Sequence, residues 1–133
     1  MNKIELPFAI LTYDEPIVFL RYKHEVKVDV EDMYNMFKAS YALSKNESYL
    51  LLVDAKVLVD VTPEARKVGS NKKNTLNIIA NAIVVKWLAQ RLLSNVFIEI
   101  NKPHLPVRIF NDEKKAIKWL LEKHKESRLI LEP

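Results

Sequence analysis

The sequence contains no cysteine and only one glycine, Gly69, in 133 residues. Without cysteine the chain has no disulfide bond, no thiolate nucleophile and no thiolate metal site. A single glycine also excludes the glycine-rich loops of dinucleotide-binding domains and P-loop proteins, because those loops need several glycines at fixed spacing. The commonest sequence signatures of nucleotide binding are therefore absent.

Long apolar runs are missing as well. The most hydrophobic region, residues 78–93, is interrupted by Asn81, Lys86 and Arg91, and no segment approaches the ~20 apolar residues that cross a bilayer. The first ten residues lack the apolar core of a secretory signal peptide. We therefore expect a soluble, cytoplasmic protein that does not insert into membranes.

The charge of the chain is modest and spread out. The 21 basic and 17 acidic residues give a net charge of +4, which helps solubility. The densest basic group, Arg66, Lys67, Lys72 and Lys73, has no aromatic residues between its members that would stack on bases. We interpret it as a basic surface loop and predict no nucleic-acid binding.

The length suits one domain, and 49% hydrophobic residues suffice for a substantial core. We expect a single domain over residues 1–125, followed by a tail over 126–133. The tail carries an apolar triplet, Leu129–Leu131. This triplet could dock on the body of the protein or on a second copy, so a homodimer through the tail or through a sheet edge is one option.

The first half of the chain predicts a hairpin and a helix. Two apolar runs flank Asp14, Glu15 and Pro16, a combination typical of a turn between two strands. Residues 30–43 then repeat apolar side chains at helical spacing, and Asp29 is placed to cap that helix.

Two apolar stretches, residues 49–55 and 81–85, are short and continuously hydrophobic, as expected of neighbouring strands covered on both faces. A helix is predicted over 87–100, a strand over 107–110, and a last helix over 111–125 with Asn111 as its cap. This alternation predicts an α/β fold: a mixed β-sheet with a parallel centre, packed by about four helices.

The stretch at 59–68, VDVTPEARKV, predicts the start of another helix. Thr62 can accept a hydrogen bond from the first N–H groups, Pro63 suits the first helical position, and Glu64 faces the positive end of the helix dipole. Gly69 is expected to end this helix.

Catalytic and metal signatures are not evident. His24, His104 and His124 lie in three different predicted elements without ligand spacing, and no serine has a recognisable base partner. We therefore predict no enzyme activity, no catalytic residue, no metal and no cofactor.

One candidate site remains. The carboxylates Asp54, Asp60 and Glu64 should lie near the carboxyl end of the central strand, where open α/β sheets usually bind ligands. Side chains from neighbouring elements could converge on this rim: Arg66, Lys86, Trp87, Arg91 and Asn95. The alternative is a structural network, in which Asp54 caps a loop and Arg66 or Arg91 pairs with a carboxylate.

Three stretches, residues 50–66, 80–97 and 102–120, resemble a bacterial family of small STAS-like proteins, most of unassigned role. The resemblance extends from Phe8 to Leu121 and rests on these positions: Asp54, Glu64–Arg66, Ala82–Val85, Arg91, Asn95, Pro106, Phe110, Ala116 and Trp119–Leu120. The family is related to the anti-sigma-factor antagonists. The resemblance implies a helix-backed sheet that serves as a regulatory protein-binding module.

In the antagonist branch, a serine at the start of the helix after the central strand is phosphorylated and controls partner choice. Here Thr62 is the only hydroxyl in the corresponding region, it precedes a proline, and the family's glycine is absent. We therefore interpret Thr62 as a helix cap rather than a phosphorylation site.

Two uses of the domain stay open. One is a docking face for a regulatory protein around the helix that follows Thr62. The other is a pocket for a lipid-like or other apolar ligand beside the helices at 30–43 and 87–100. A cavity of roughly 300 Å³ or more would favour the second.

Overall fold

The computed structural model describes residues 2–57, 59–87 and 104–131, with side chains as far as residue 129. These residues form eight strands: β1 (Lys3–Glu5), β2 (Ala9–Asp14), β3 (Ile17–Tyr22), β4 (Val26–Val28), β5 (Tyr49–Asp54), β6 (Val59–Val61), β7 (Ile78–Val84) and β8 (Val107–Phe110). They also form three α-helices and one short 3₁₀ helix: α1 (Val30–Leu43), α2 (Pro63–Ser70), the 3₁₀ turn (Lys72–Asn74) and α3 (Glu113–Leu131).

Six strands build one sheet in the order β1-β2-β3-β5-β7-β8, while β4 and β6 pair with each other. The pairs β1–β2 and β2–β3 are antiparallel, and the pairs β3–β5, β5–β7 and β7–β8 are parallel. The predicted mixed sheet with a parallel centre is confirmed. The described residues hold three α-helices rather than about four, and most of the helix predicted over 87–100 lies outside them.

The two apolar strands predicted to be neighbours are paired as expected. Leu50 of β5 lies opposite Ala80 of β7, and Val53 lies opposite Ile83. The sequence placed the start of this second strand at residue 81, but β7 begins at Ile78. The three extra residues were missed because a polar Asn81 divides the apolar run.

The two faces of the sheet are covered by different helices. Leu50 and Leu52 point toward α3 and pack in one cluster with Ala82, Ala116 and Leu120. The next residue along β5, Leu51, points to the other face and packs with α1. This alternation follows from the two-residue period of a strand.

Helix α1 has the predicted bounds and the predicted cap. The Asp29 carboxylate accepts a hydrogen bond from the Asp32 N–H at 2.8 Å, and the Asp32 carboxylate accepts one from the Asp29 N–H at 3.2 Å. This reciprocal pair is a capping box, which satisfies two N–H groups that the helix itself leaves unpaired.

The prediction for Gly69 was wrong. Gly69 lies within α2, and the helix ends one residue later with Asn71 as its C-cap. A methyl group at Gly69 would lie 3.4 Å from the Met33 Cε atom of α1. This is an ordinary van der Waals distance, so the space beside α1 would admit a methyl group, and no left-handed turn requires glycine at this position.

The start of α3 also differs from expectation. Asp112, not Asn111, accepts hydrogen bonds from the first N–H groups, at 2.8 Å from Lys114 and 3.3 Å from Lys115. The helix continues to Leu131, so residues 126–131 extend it. Leu129 is 63% exposed, and the homodimer through this region stays a prediction.

In the part of the chain that the structure describes, no helix has both the length and the hydrophobicity needed to cross a membrane.

Candidate functional site

A cavity of about 300 Å³ lies between the sheet and the helices α1 and α2. Its sheet wall carries Leu51 and Val53 of β5 and Ile83 of β7, and its helix wall includes Met33 and Met36 of α1. Val53 and Ile83 are only half-buried although they belong to the two central strands. The apolar side chains on this face of the sheet are thus incompletely covered by their neighbours.

The mouth of this cavity is polar. Asp60, which is exposed, and Arg66 both contribute to the lining. The Arg66 guanidinium donates a hydrogen bond to the Val61 carbonyl oxygen at 2.6 Å. That bond ties the second turn of α2 to the end of β6 and keeps the arginine beside the opening.

Two of the polar side chains on the cavity wall have hydrogen-bond partners in their own elements. The Ser40 hydroxyl donates to the Met36 carbonyl at 2.8 Å, and the Thr75 hydroxyl donates to the Asn71 carbonyl at 3.1 Å. Both groups are therefore satisfied without a ligand.

Tyr22 has a weaker arrangement. Its hydroxyl donates to the Met36 sulfur at 3.6 Å, and a thioether is a weak acceptor. Burial raises the pKa of the Tyr22 phenol well above its usual range, so the side chain stays neutral. It presents a neutral hydroxyl group at the cavity wall.

Asn81 also lines the cavity, and its side-chain oxygen differs from the hydroxyl groups of Ser40 and Thr75. It lies in the middle of β7, between Leu51 of β5 and Val107 of β8. Its side-chain oxygen is buried and has no hydrogen-bond partner in the described parts of the chain. An unpaired buried polar group costs about 1–3 kcal/mol, which makes this position unfavourable unless something else pairs with it.

The predicted rim residues are divided between the two faces of the sheet. The Asp54 carboxylate accepts from the Arg21 guanidinium at 2.9 Å, and Arg21 also donates to Glu113 at 2.6 Å. These contacts connect β5 and β3 to the start of α3. Arg66 instead lines the cavity, on the face covered by α1 and α2. Asp54 and Arg66 therefore lie on opposite faces.

The loop contact of Asp54 matches the structural alternative from the sequence. Asp54 accepts from the Lys56 N–H at 3.2 Å, and the Lys56 ammonium lies 3.6 Å from the carboxylate. The principal charged partner, Arg21, was missed. Arg21 lies opposite Asp54 in the register of β3 and β5, and sequence spacing alone does not give that register.

The remaining predicted residues lie at the surface or outside the described residues. Thr62 caps α2 and Glu64 is exposed in its first turn. Trp87 is 63% exposed, with the Lys86 ammonium 5.0 Å from its ring centroid. Arg91 and Asn95 lie outside the described residues. Across residues 2–57, 59–87 and 104–131, no cluster of three or more His, Asp or Glu side chains could hold a metal ion.

The sequence left open an apolar pocket beside the helices at 30–43 and 87–100, and most of the second range lies outside the described residues. It did not identify Asn81 or Tyr22 as part of such a pocket. A usable signal existed at Asn81. It is a polar residue two positions before Ile83, and a strand directs both side chains to the same face.

Comparison with a solved structure places the fold among known architectures. An uncharacterized protein from the DUF3478 family of Shewanella loihica, which has a SpoIIAA-like fold, is similar over 84% of this chain and 91% of its own. The TM-score is 0.60 and the sequence identity is 15%, so the likeness concerns the fold alone. No curated protein matches the chain.

The expected STAS-like fold, in a family of unassigned role, is confirmed. The family model that matches covers residues 11–124, which is most of the chain. The chain therefore belongs to the family described as Domain of unknown function (DUF7793).

Proposed function

We propose that this chain is a non-enzymatic regulatory module that binds a protein partner through the start of α2. The proposal is supported by the SpoIIAA-like fold of the similar Shewanella protein and by the resemblance to anti-sigma-factor antagonists. The observation that carries it is the exposure of Pro63 and Glu64, which project from the first turn of α2. A partner can reach these side chains without any rearrangement of the core.

In this proposal Thr62 positions the docking surface and is not a switch. Its side-chain oxygen accepts the Ala65 N–H at 3.1 Å, while its own N–H donates to the Val28 carbonyl at 3.0 Å. The residue thus joins α2 to the β4–β6 pair. Glu64 supplies a negative charge that a partner can reach.

A second candidate function is binding of a small apolar molecule, and the cavity against α1 favours it. Its volume of about 300 Å³ lies at the lower end of the range for small-molecule sites. Its apolar wall also matches such sites, which are mostly hydrophobic with a few placed polar groups.

Replacing Thr62 by alanine tests its role as a cap. We expect Thr62→Ala to lower the free energy of unfolding by about 1 kcal/mol, because the Ala65 N–H loses its acceptor. Thr62→Ser and Thr62→Asp keep an acceptor and should stay within a few tenths of a kcal/mol of the wild type, by the same principle. Urea unfolding measures all three. Equal stability of the alanine and serine variants would show that the cap is unimportant.

Charge reversal at Glu64 tests the partner surface. We expect Glu64→Arg to lose the protein that copurifies with the tagged wild-type chain from its native cells, because like charges then oppose each other at the contact. Glu122→Arg is the matched control, since it reverses an exposed charge on α3. Melting temperatures check that both variants are folded.

The partner proposal fails if Glu64→Arg recovers the same proteins as the wild type in equal amounts. It fails equally if Glu122→Arg loses them to the same extent, because the contact would then not lie at the start of α2.

Enlarging Ile83 tests the cavity. Ile83→Phe should weaken binding of naphthalene about tenfold or more, which corresponds to 1.4 kcal/mol, because the added ring occupies the cavity. Ile79→Phe is the control: Ile79 lies in the same strand but packs with the α3 cluster on the opposite face. Titration followed by naphthalene fluorescence measures both affinities. Equal affinities of the two variants would remove the cavity as the binding site.

A further inference from the structure

We propose that the ligand of the cavity is a small, uncharged and mainly apolar molecule with one hydrogen-bonding group, and that the Asn81 amide binds that group. This inference rests on the second candidate function above, and it adds the chemical class of the ligand and the residue that selects it.

The first step of the argument is the isolation of Asn81. The strands on either side of it present Leu51 and Val107, and neither side chain can form a hydrogen bond. Its buried oxygen has no partner within residues 2–57, 59–87 and 104–131. Buried polar groups in proteins are nearly always paired. A ligand group that forms a hydrogen bond with this amide in the cavity would therefore remove the destabilisation that the unpaired oxygen causes.

The second step is the contrast with the other polar groups of the cavity. Ser40 and Thr75 already donate to backbone carbonyls, so neither needs a ligand. The Tyr22 hydroxyl, which donates to the Met36 sulfur, is a second group to which a ligand could offer a stronger acceptor. Among the described lining residues, the polar groups that a ligand could pair with are therefore the neutral side chains of Asn81 and Tyr22.

The third step concerns the charge of the ligand. Among the described residues, the charged side chains that line the cavity are Asp60, which is exposed at the mouth, and Arg66, whose guanidinium donates to the Val61 carbonyl. The rest of the wall is largely aliphatic, and an unpaired ion is very costly in such surroundings. A neutral hydroxyl or amide fits the interior, whereas a carboxylate or ammonium group does not.

The fourth step concerns size. A volume of about 300 Å³ equals about ten times the share of one water molecule in the liquid, which is about 30 Å³. The ligand therefore has about ten non-hydrogen atoms within the cavity. A fused-ring alcohol or a medium-chain alcohol or amide has this size, and a complete membrane lipid does not.

The amide can present either of its ends to such a ligand. Rotation about the bond to its terminal carbon exchanges the oxygen and the nitrogen, so it can accept a hydrogen bond from a hydroxyl or donate one to it. A ligand hydroxyl is therefore recognised in either orientation. Naphthalene and 1-naphthol differ by one hydroxyl group, and they form a matched pair of probes of about the right size.

The test measures the affinities of the full chain for both probes by fluorescence titration. We expect the wild type to bind 1-naphthol about tenfold more tightly than naphthalene, because only 1-naphthol pairs with the amide. Asn81→Leu should lose this preference and bind naphthalene at least as tightly as the wild type does. The same substitution should raise the melting temperature by a few degrees, since it removes an unpaired polar group.

Thr75→Val is the control, because Thr75 also lines the cavity but already has its own partner; it should keep the preference for 1-naphthol. Asn81→Val repeats the test with a strand-favouring residue in case the leucine variant does not fold.

The possible failures are distinguishable. If both Asn81 variants keep the wild-type preference for 1-naphthol, Asn81 does not bind the polar group and this inference is overturned, while the cavity remains a binding site. If the wild type binds both probes with equal affinity, the proposed selectivity is absent. If it binds neither probe, the inference and the second candidate function both fail.

Discussion

The fold depends on the parallel pairing of β5 between β3 and β7. A strand with hydrogen-bonded neighbours on both sides and helices on both faces exposes almost nothing to water, which is why Leu50 and Leu52 are fully buried. It also forces its alternate residues into two different environments. Each helix that covers the sheet therefore packs against one of its two faces. The odd-numbered residues of β5 form one face and the even-numbered residues form the other.

The two surfaces are filled to different extents. On the α3 side the small residues Ala80 and Ala82 let the helix approach the sheet, and these alanines are completely buried. On the other side Val53 and Ile83 carry larger side chains but remain half-buried, and a cavity adjoins them. An apolar surface that its own helices leave partly open is a natural place for a ligand.

The polar residues on the two faces of the sheet also differ in their hydrogen-bond partners. Arg21, Asp54 and Glu113 pair with one another on the α3 side, where they hold the helix start against the strand ends. On the cavity side the Asn81 oxygen has no such partner among the described residues. The network of paired charges suits a structural role, and the isolated amide suits recognition.

Much of this arrangement could be predicted from the sequence. The hairpin around Asp14–Pro16, the bounds of α1 with its Asp29 cap, the Thr62 cap and the neighbouring central strands each depend on local patterns, and local patterns are directly readable. The partner of Asp54 depended on the register between β3 and β5, which spacing along the chain does not determine.

The error at Gly69 has a different origin. A glycine near the end of a helix usually marks a left-handed stop, whereas this one lies within the last turn of α2 and has no left-handed backbone conformation. The helix continues through Gly69 and ends at Ser70, with Asn71 as its C-cap. The predicted cap of α3, Asn111, lies one residue before the observed cap, Asp112. Asparagine and aspartate both favour the cap position, so residue type did not distinguish them.

The central claim is that the sheet has one filled face and one face that admits an apolar molecule. Methyl NMR spectra of the chain during addition of naphthalene test it most directly, because β5 carries reporters for both faces. The account predicts that the methyl signals of Leu51 and Val53 shift with the added probe, while those of Leu50 and Leu52 stay in place. Shifts at Leu50 and Leu52, or no shift at Leu51 and Val53, would contradict it.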